Sequence, residues 1–393
     1  MSIFFNSQYS IEDLEQFRDE QGFIDLTKAG VEFTEETREE TGNLDRVKNW
    51  VNFQGTKALV KGEAIRDEEK NYGIYAELVV EEVAKAVGQR TAHYDLIKFI
   101  GEDGEYHLGV LSVSMMESSN ERLVTLHDII GDEPEETSDF IDTTSYDFTI
   151  EKLEEELQKD GYSEEDITEV ITEYRKRLIF LLAVLETDQH TENIAFKIKK
   201  VEGRNAIELS PNYDSESSFL LDSDISTIEK LLEDYEGLRE SVDRAHPRIG
   251  TLKSIEDGGF DSYWKDTLEA LCEDDEIYDY YQENIRGIVD IEKIIERVEQ
   301  RIKAPLPENI KLLVKHSYQI RNEQIEKIMD GEMTVETQVD VSALLKMLVS
   351  QGVRTGIRTG EQMQVGRTIQ KDMLEIGKNG INQARDENED ITL

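Results

Sequence analysis

One stretch, from Leu185 to Phe219, restricts what this chain can fold into more than any other. It begins with an acidic, polar loop at residues 186–193. A short alternating apolar run follows at residues 194–198 and is typical of a β-strand. Residues 206–209 are predicted to return as a second strand after a turn. The chain must therefore fold so that the two open ends of this hairpin lie side by side.

Three polar side chains flank the predicted hairpin. Asp188 and Asn193 precede its first strand, and Asp214 follows its second. Two carboxylates and a carboxamide suit phosphoryl transfer, in which one group holds the acceptor hydroxyl and hard oxygen ligands hold Mg²⁺. The alternative is a polar loop of no chemical significance, with Asp188 and Asn193 as turn formers.

The order of these residues resembles a known family of enzymes. Asp188, His190 and Asn193 form the pattern D-x-H-x-x-N, and a hairpin and then Asp214 follow. This looks like the catalytic and metal loops of the HipA-like kinases, bacterial Ser/Thr kinases with a protein-kinase-like fold, several of which are toxins. The phosphatidylinositol kinases have a similar D-R-H-x-x-N loop, and this chain departs from it at Gln189. The resemblance implies that Asp188 and His190 are catalytic, with His190 bracing the loop, and that Asn193 and Asp214 hold Mg²⁺.

A strand and a helix upstream follow the same family order. Residues 56–61 are predicted to form a strand ending at Lys61, and residues 74–88 a helix with Glu77 in its first turn. By resemblance to a kinase N-lobe, Lys61 would bind the ATP phosphates and Glu77 would hold its ammonium. The alternative is a solvated lysine and an ordinary first-turn glutamate. Strand alternation leaves Lys57 as a rival, because it shares a face with Lys61.

A loop containing Gly42 and the basic residue Lys48 lies where these kinases cover the phosphates. The resemblance implies that both residues contribute to the ATP site, and the alternative is a plain loop before a strand. The neighbouring hydroxyl-bearing residues Thr34, Thr37 and Thr41 are candidate autophosphorylation sites.

The fold class expected from this order is α+β: a bilobal protein-kinase-like fold with a small β-rich N-lobe and a larger helical C-lobe. An antiparallel hairpin over residues 91–116 would complete the N-lobe sheet, and an apolar helix over residues 163–185 would lead into the polar loop. The predicted divisions are an N-terminal extension (1–24), the N-lobe (25–118), the C-lobe (119–331) and a C-terminal extension that its composition predicts to be partly disordered (332–393).

The composition narrows the classes of function. The formal net charge of −43 at pH 7 repels phosphate backbones and anionic membranes, so neither nucleic acid nor membrane is an expected partner. The single cysteine excludes a disulfide framework within the chain. The first residues lack the pattern of a signal peptide and no apolar run is long enough to span a bilayer, so the expected location is the cytoplasm.

The expected function is that of an ATP- and Mg²⁺-dependent Ser/Thr protein kinase, and the resemblance allows a kinase of toxin type. The resemblance then implies ATP and a protein substrate as partners, and allows for an antitoxin or another regulatory partner. Two alternatives stay open at this point. One is a lipid or small-molecule kinase of the same fold, and the other is a nucleotide-binding pseudokinase or an acidic interaction protein without turnover.

Overall fold

Strands dominate the first third of the chain and helices the remainder in the computed structural model. The described residues are 5–31, 48–63, 65–66, 69–101, 104–116, 118, 120–131, 144–201, 204–250, 252–254, 260–262, 264–287 and 289–329. Their strands are β1 (Phe5–Ser7), β2 (Ile24–Asp25), β3 (Lys48–Phe53), β4 (Thr56–Gly62), β5 (Ile65–Arg66), β6 (Glu69–Lys70), β7 (Tyr94–Ile100), β8 (Tyr106–Val113), β9 (Glu121–Thr125), β10 (Thr144–Ser145), β11 (Ala195–Val201), β12 (Arg204–Leu209), β13 (Ile249–Gly250), β14 (Leu252–Ser254) and β15 (Phe260–Ser262). Their α-helices are α1 (Gly73–Ala86), α2 (Leu126–Ile130), α3 (Tyr146–Lys159), α4 (Glu164–Ala183), α5 (Ile225–Glu233), α6 (Tyr235–Arg244), α7 (Trp264–Cys272), α8 (Asp275–Tyr280), α9 (Ile291–Ile302) and α10 (Glu308–Met329).

A six-stranded sheet in the order β1-β3-β4-β8-β7-β2 organises the N-terminal part. Its four central strands pair antiparallel, and the predicted hairpin is confirmed as β7 and β8. Successive side chains of a strand point to opposite faces, so the sheet separates two hydrophobic clusters. Leu96 and Val110 belong to the cluster that includes α1, whereas Ile97 and Leu111 belong to the cluster on the other face.

Residues 5–26 contribute to this sheet and its core. β1 pairs in parallel with β3, and β2 pairs in parallel with β7. Leu14 and Leu26 are fully buried in the cluster on the face that includes Ile97. The structure differs here from the predicted extension at residues 1–24, because these apolar side chains cover a sheet face that would otherwise be exposed to water.

The predicted helix after the lysine strand is confirmed as α1. It begins at Gly73 and ends at Ala86, so Glu77 lies just beyond the first turn and not within it. Gly88 has the left-handed backbone (φ 73°) that suits a residue following a helix. α1 packs between β7 and α9, and most of its residues are buried, including Glu77.

Helices make up most of the C-terminal part. α4 begins with the predicted capping box, in which Ser163 and Asp166 each accept a backbone N–H of the other. It is buried along its last turns and leads directly into the polar loop. β11 and β12 then form the predicted antiparallel hairpin, with Phe196 opposite Leu209, and β9 pairs with β11. The α+β fold class is therefore confirmed, with a sheet-rich N-terminal part and a mainly helical C-terminal part.

The described residues all belong to one compact unit, Met1–Val335. The predicted extension from residue 332, the loop around Gly42 and the threonines at 34, 37 and 41 lie outside the described residues, so these interpretations stay predictions. Within the described residues, no helix combines the length and the apolar character that crossing a membrane requires.

Candidate active site

A buried ion pair joins β4 to α1. The Nζ of Lys61 lies 3.1 Å from Oε1 of Glu77, and the two side chains are 7% and 1% exposed. Lys57, the rival lysine on the same strand, is exposed. Burying a charge without a partner costs several kcal/mol, so the pair explains how both groups are accommodated in the interior. The structure therefore places Lys61, and not Lys57, beside Glu77.

Two more carboxylates meet the same ammonium. Lys61 contacts Asp214 directly and lies 2.9 Å from Oε2 of Glu216. Carboxylate oxygens of Glu77, Asp214 and Glu216 all lie within 4.8 Å of one another. Lys48, at the start of β3, brings its Nζ to 3.9 Å from Oδ2 of Asp214. Three carboxylates and two lysines therefore meet at this point.

The backbone after β12 is shaped to bring these groups together. Asp214 has a left-handed backbone (φ 59°), which is uncommon for a residue with a side chain. The next amide, that of Ser215, donates a hydrogen bond of 2.9 Å to Oε2 of Glu77. Gly73 allows the start of α1 to lie close to Glu216, because a Cβ at residue 73 would lie 3.1 Å from Cβ of Glu216. Sheet, helix and loop thus converge on one buried cluster.

The electrostatics of the cluster suit a divalent cation. Burial raises the pKa of Glu77, and the charges of Asp214 and Glu216 act in the same direction, whereas Lys61 opposes them. Carboxylate oxygens held this close are ligands that Mg²⁺ prefers, and Mg²⁺ needs few protein ligands when phosphates supply others. The donor set of this cluster therefore fits Mg²⁺.

The polar loop between α4 and β11 is held by its own hydrogen bonds. The amide of Asp188 donates to Oε1 of Glu186 at 2.8 Å, and Nδ2 of Asn193 donates to the carbonyl of Asp188 at 2.9 Å. Nδ1 of His190 accepts the amide of Glu192 at 3.3 Å, which is consistent with a bracing role. The Asp188 carboxylate remains about one third exposed and accessible to a substrate.

The hairpin joins this loop to the Asp214 segment. The hydroxyl of Tyr213 donates to the carbonyl of Glu192 at 3.1 Å. Asn193 and Asp214 are the next residues along the two connected segments, as the closed hairpin predicts. Their joint binding of one Mg²⁺ stays a prediction.

Glu186 makes a second connection between the two segments. It is fully buried, and it accepts the hydroxyl of Ser218 at 2.6 Å in addition to the amide of Asp188. Burial raises the pKa of its carboxyl group well above the usual range. A further hydrogen bond runs from the hydroxyl of Thr187 to the carbonyl of Ser217. The loop that carries Asp188 is therefore fixed against the segment that follows Asp214.

The structure groups most of the predicted site residues. One cluster contains four of them, Lys48, Lys61, Glu77 and Asp214. The polar loop contains three more, Asp188, His190 and Asn193. Sequence reasoning missed three charged residues of the site, Glu186, Glu216 and Arg248. For Glu216 the spacing of two residues from Asp214 was an available signal, whereas the contacts of the other two depend on how the loops fold.

The known proteins that are similar to this chain are found among solved structures. No protein-family model matches the chain. No curated protein matches it either. Among solved structures, the chain is similar to the proinflammatory kinase CtkA of Helicobacter pylori, with 13% identity over 76% of this chain and 99% of that one, and a TM-score of 0.49. It is also similar to HipA of Shewanella oneidensis MR-1, solved with HipB and operator DNA, with 14% identity over 74% of this chain and 65% of that one, and a TM-score of 0.39. The functional argument rests on the site itself.

Proposed function

We propose that this chain is an ATP- and Mg²⁺-dependent phosphotransferase that acts on a serine or threonine hydroxyl of a protein. The observation that carries the proposal is the contact of one buried lysine, Lys61, with Glu77 and Asp214, beside a loop that presents Asp188. Phosphoryl transfer depends mainly on positioning and on neutralising charge, and this set of groups provides both.

Each residue has a defined part in the proposed reaction. Lys61 binds phosphate oxygens, and Glu77 keeps its ammonium in place. Asp214 and Asn193 would hold Mg²⁺, which would neutralise phosphate charge when bound. Asp188 orients the acceptor hydroxyl and takes its proton. The phosphorus forms a bond to the acceptor oxygen as its bond to the oxygen of the leaving ADP breaks.

A protein acceptor is favoured over an anionic lipid. The chain carries a formal net charge of −43, which repels acidic head groups. The family resemblance also points to a protein hydroxyl. A regulatory partner of the antitoxin kind belongs to the same proposal, since several HipA-like kinases are toxins.

The test is phosphoryl transfer from γ-labelled ATP by the purified protein, alone and with cell lysate, in MgCl₂ and in EDTA. The expected result is labelled protein that requires Mg²⁺. Asp188→Asn should lower transfer by about 100-fold or more and leave nucleotide affinity nearly unchanged, because its role lies with the acceptor. Asp214→Asn should weaken Mg²⁺-dependent ATP binding as well as transfer.

Lys57→Met is the matched control for Lys61→Met. Both lysines lie on β4, but Lys57 is exposed and Lys61 is buried beside Glu77. Only the change at Lys61 should abolish transfer. Nucleotide binding without any transfer would point instead to a pseudokinase, and an absence of both binding and transfer would refute the proposed function.

A further inference from the structure

We propose that Arg248 is a further catalytic residue, whose guanidinium group binds the phosphoryl group as it moves to the acceptor. This inference rests on the proposed function above. Arg248 lies in the loop between α6 and β13, beyond the sequence motifs that carry the resemblance to kinases.

The evidence begins with an ion pair at the acceptor side of the site. Nη2 of Arg248 lies 2.7 Å from Oδ1 of Asp188, and the two side chains are 35% and 36% exposed. The pair is therefore accessible to a substrate, unlike the buried pair of Lys61 and Glu77. A carboxylate has two oxygens, so the contact with Arg248 still allows Asp188 to accept a proton from a hydroxyl.

The backbone fixes Arg248 against the polar loop. Its amide donates to the carbonyl of Gln189 at 3.1 Å, and its carbonyl accepts the amide of Thr144 at 2.9 Å. The neighbouring residues continue this attachment as the parallel pairing of β10 and β13. The backbone that carries the guanidinium group is thus hydrogen-bonded to Gln189, the residue after Asp188.

A single buried arginine connects the chain segments that lead to the two partners of the pair. Arg321 on α10 is fully buried and donates to the carbonyl of Leu182, at the end of α4, at 3.2 Å. It also donates to the carbonyls of Val242, at 2.6 Å, and Ala245, at the end of α6. The Asp188 loop follows α4, and the Arg248 loop follows α6. The fold therefore sets the relative position of Asp188 and Arg248 through one side chain.

The charge of the site explains why a cation is needed at this point. During transfer, negative charge on the phosphoryl oxygens approaches the carboxylate of Asp188, and the two repel each other. A planar guanidinium group has several N–H donors and can bind a carboxylate and phosphoryl oxygens together. Lys61 and Lys48 lie against Asp214, on the nucleotide side, so Arg248 supplies the positive charge on the acceptor side.

The first test compares Arg248→Gln and Arg248→Lys with Arg244→Gln. Arg244 lies at the end of α6, is exposed and forms a 3.2 Å ion pair with the exposed Glu240 one turn earlier on the same helix, so it serves as the matched control. Arg248→Gln should lower kcat for phosphoryl transfer by about 100-fold or more, the range found when one transition-state donor is removed. Arg248→Lys should recover part of the rate, and ATP affinity should stay within about twofold of wild type in both variants. An Arg248→Gln variant that is folded and turns over at the wild-type rate would overturn the inference.

A second measurement separates binding of the phosphoryl group from mere positioning of Asp188. ADP with Mg²⁺ and aluminium fluoride mimics the phosphoryl group in transit and needs no proton transfer to Asp188. The wild type and Asp188→Asn should both bind this combination more tightly than ADP with Mg²⁺ alone, and Arg248→Gln should lose that gain. If Arg248→Gln keeps the gain, Arg248 does not bind the phosphoryl group and the inference fails. If the wild type neither binds nucleotide nor transfers phosphate, the proposed function fails first. Thermal denaturation of each variant establishes that it is folded.

Discussion

Glu216 is the residue that most distinguishes the observed site from the site that the sequence motifs predict. Its carboxylate is the third one in contact with Lys61. Glu216 is buried and lies 2.9 Å from Nζ of Lys61, close to Glu77 and Asp214. Without a divalent cation, the negative charge of these carboxylates repels the phosphates of a nucleotide and opposes their attraction to Lys61. The proposed function therefore makes nucleotide binding strongly dependent on a divalent cation.

Glu216→Gln tests this dependence. Removing one charge at contact distance should strengthen metal-free ATP binding by roughly tenfold, which corresponds to about 1.4 kcal/mol. Calorimetric titration of ATP in EDTA and in MgCl₂ measures the effect. Glu240→Gln, an exposed change on α6, should leave both affinities unaltered. Equal metal-free affinity in wild type and Glu216→Gln would contradict this electrostatic account.

At the scale of elements, α1 is the part whose placement decides whether Glu77 reaches Lys61. A charged contact with α9 helps to hold it in place. Nη1 of Arg301 lies 2.8 Å from Oε2 of Glu81 and 2.9 Å from Oε1 of Glu82, one turn beyond Glu77. Nη2 of Arg301 also donates to the carbonyl of Tyr94 on β7. One arginine thus ties α1 to α9 and to the sheet.

Arg301→Gln should therefore weaken both the fold and the site. Glu81 is 1% exposed and would lose a charged partner, so we expect the free energy of unfolding to fall by about 2 kcal/mol, below the 3–5 kcal/mol of fully buried pairs because Arg301 is partly exposed. Nucleotide affinity should fall as well, because α1 carries Glu77. Urea denaturation and ATP titration measure the two effects. Arg297→Gln, an exposed change on α9, is the control, and a similar loss there would argue against a specific role for Arg301.

The elements were more predictable than the contacts between them. Hydrophobic periodicity was sufficient to predict α1, α4 and the β11–β12 hairpin from the sequence, because each buries one continuous apolar pattern. Lys61 and Asp214 were predictable from the order of motifs. The pairing of Asp188 with Arg248 was not, since it depends on Arg321 joining the ends of two helices. The prediction of an N-terminal extension missed that residues 5–24 cover a sheet face, because their few apolar side chains show no clear period.

The net charge is the feature that acts on the molecule as a whole. With 87 acidic and 44 basic residues, the folded chain repels itself at low ionic strength. Added salt should therefore raise the thermal midpoint, since screening of the repulsion outweighs screening of individual surface ion pairs, each worth at most about 1 kcal/mol. Scanning calorimetry from about 10 mM to 500 mM NaCl, ionic strengths that shorten the screening length severalfold, measures this. A midpoint that falls with salt would indicate that ion pairs dominate instead.

The packing of α1 against α9 has a consequence for how the protein is made. α1 ends at Ala86, but the helix that covers it ends only at Ile302. A ribosome adds about 5–20 residues per second, so the apolar side of α1 stays uncovered by α9 for on the order of tens of seconds. The ammonium of Lys61 likewise lacks its contact with Asp214 until Asp214 has been synthesised. The nascent N-terminal half is therefore a natural client for chaperones until nearly the whole described chain has been synthesised.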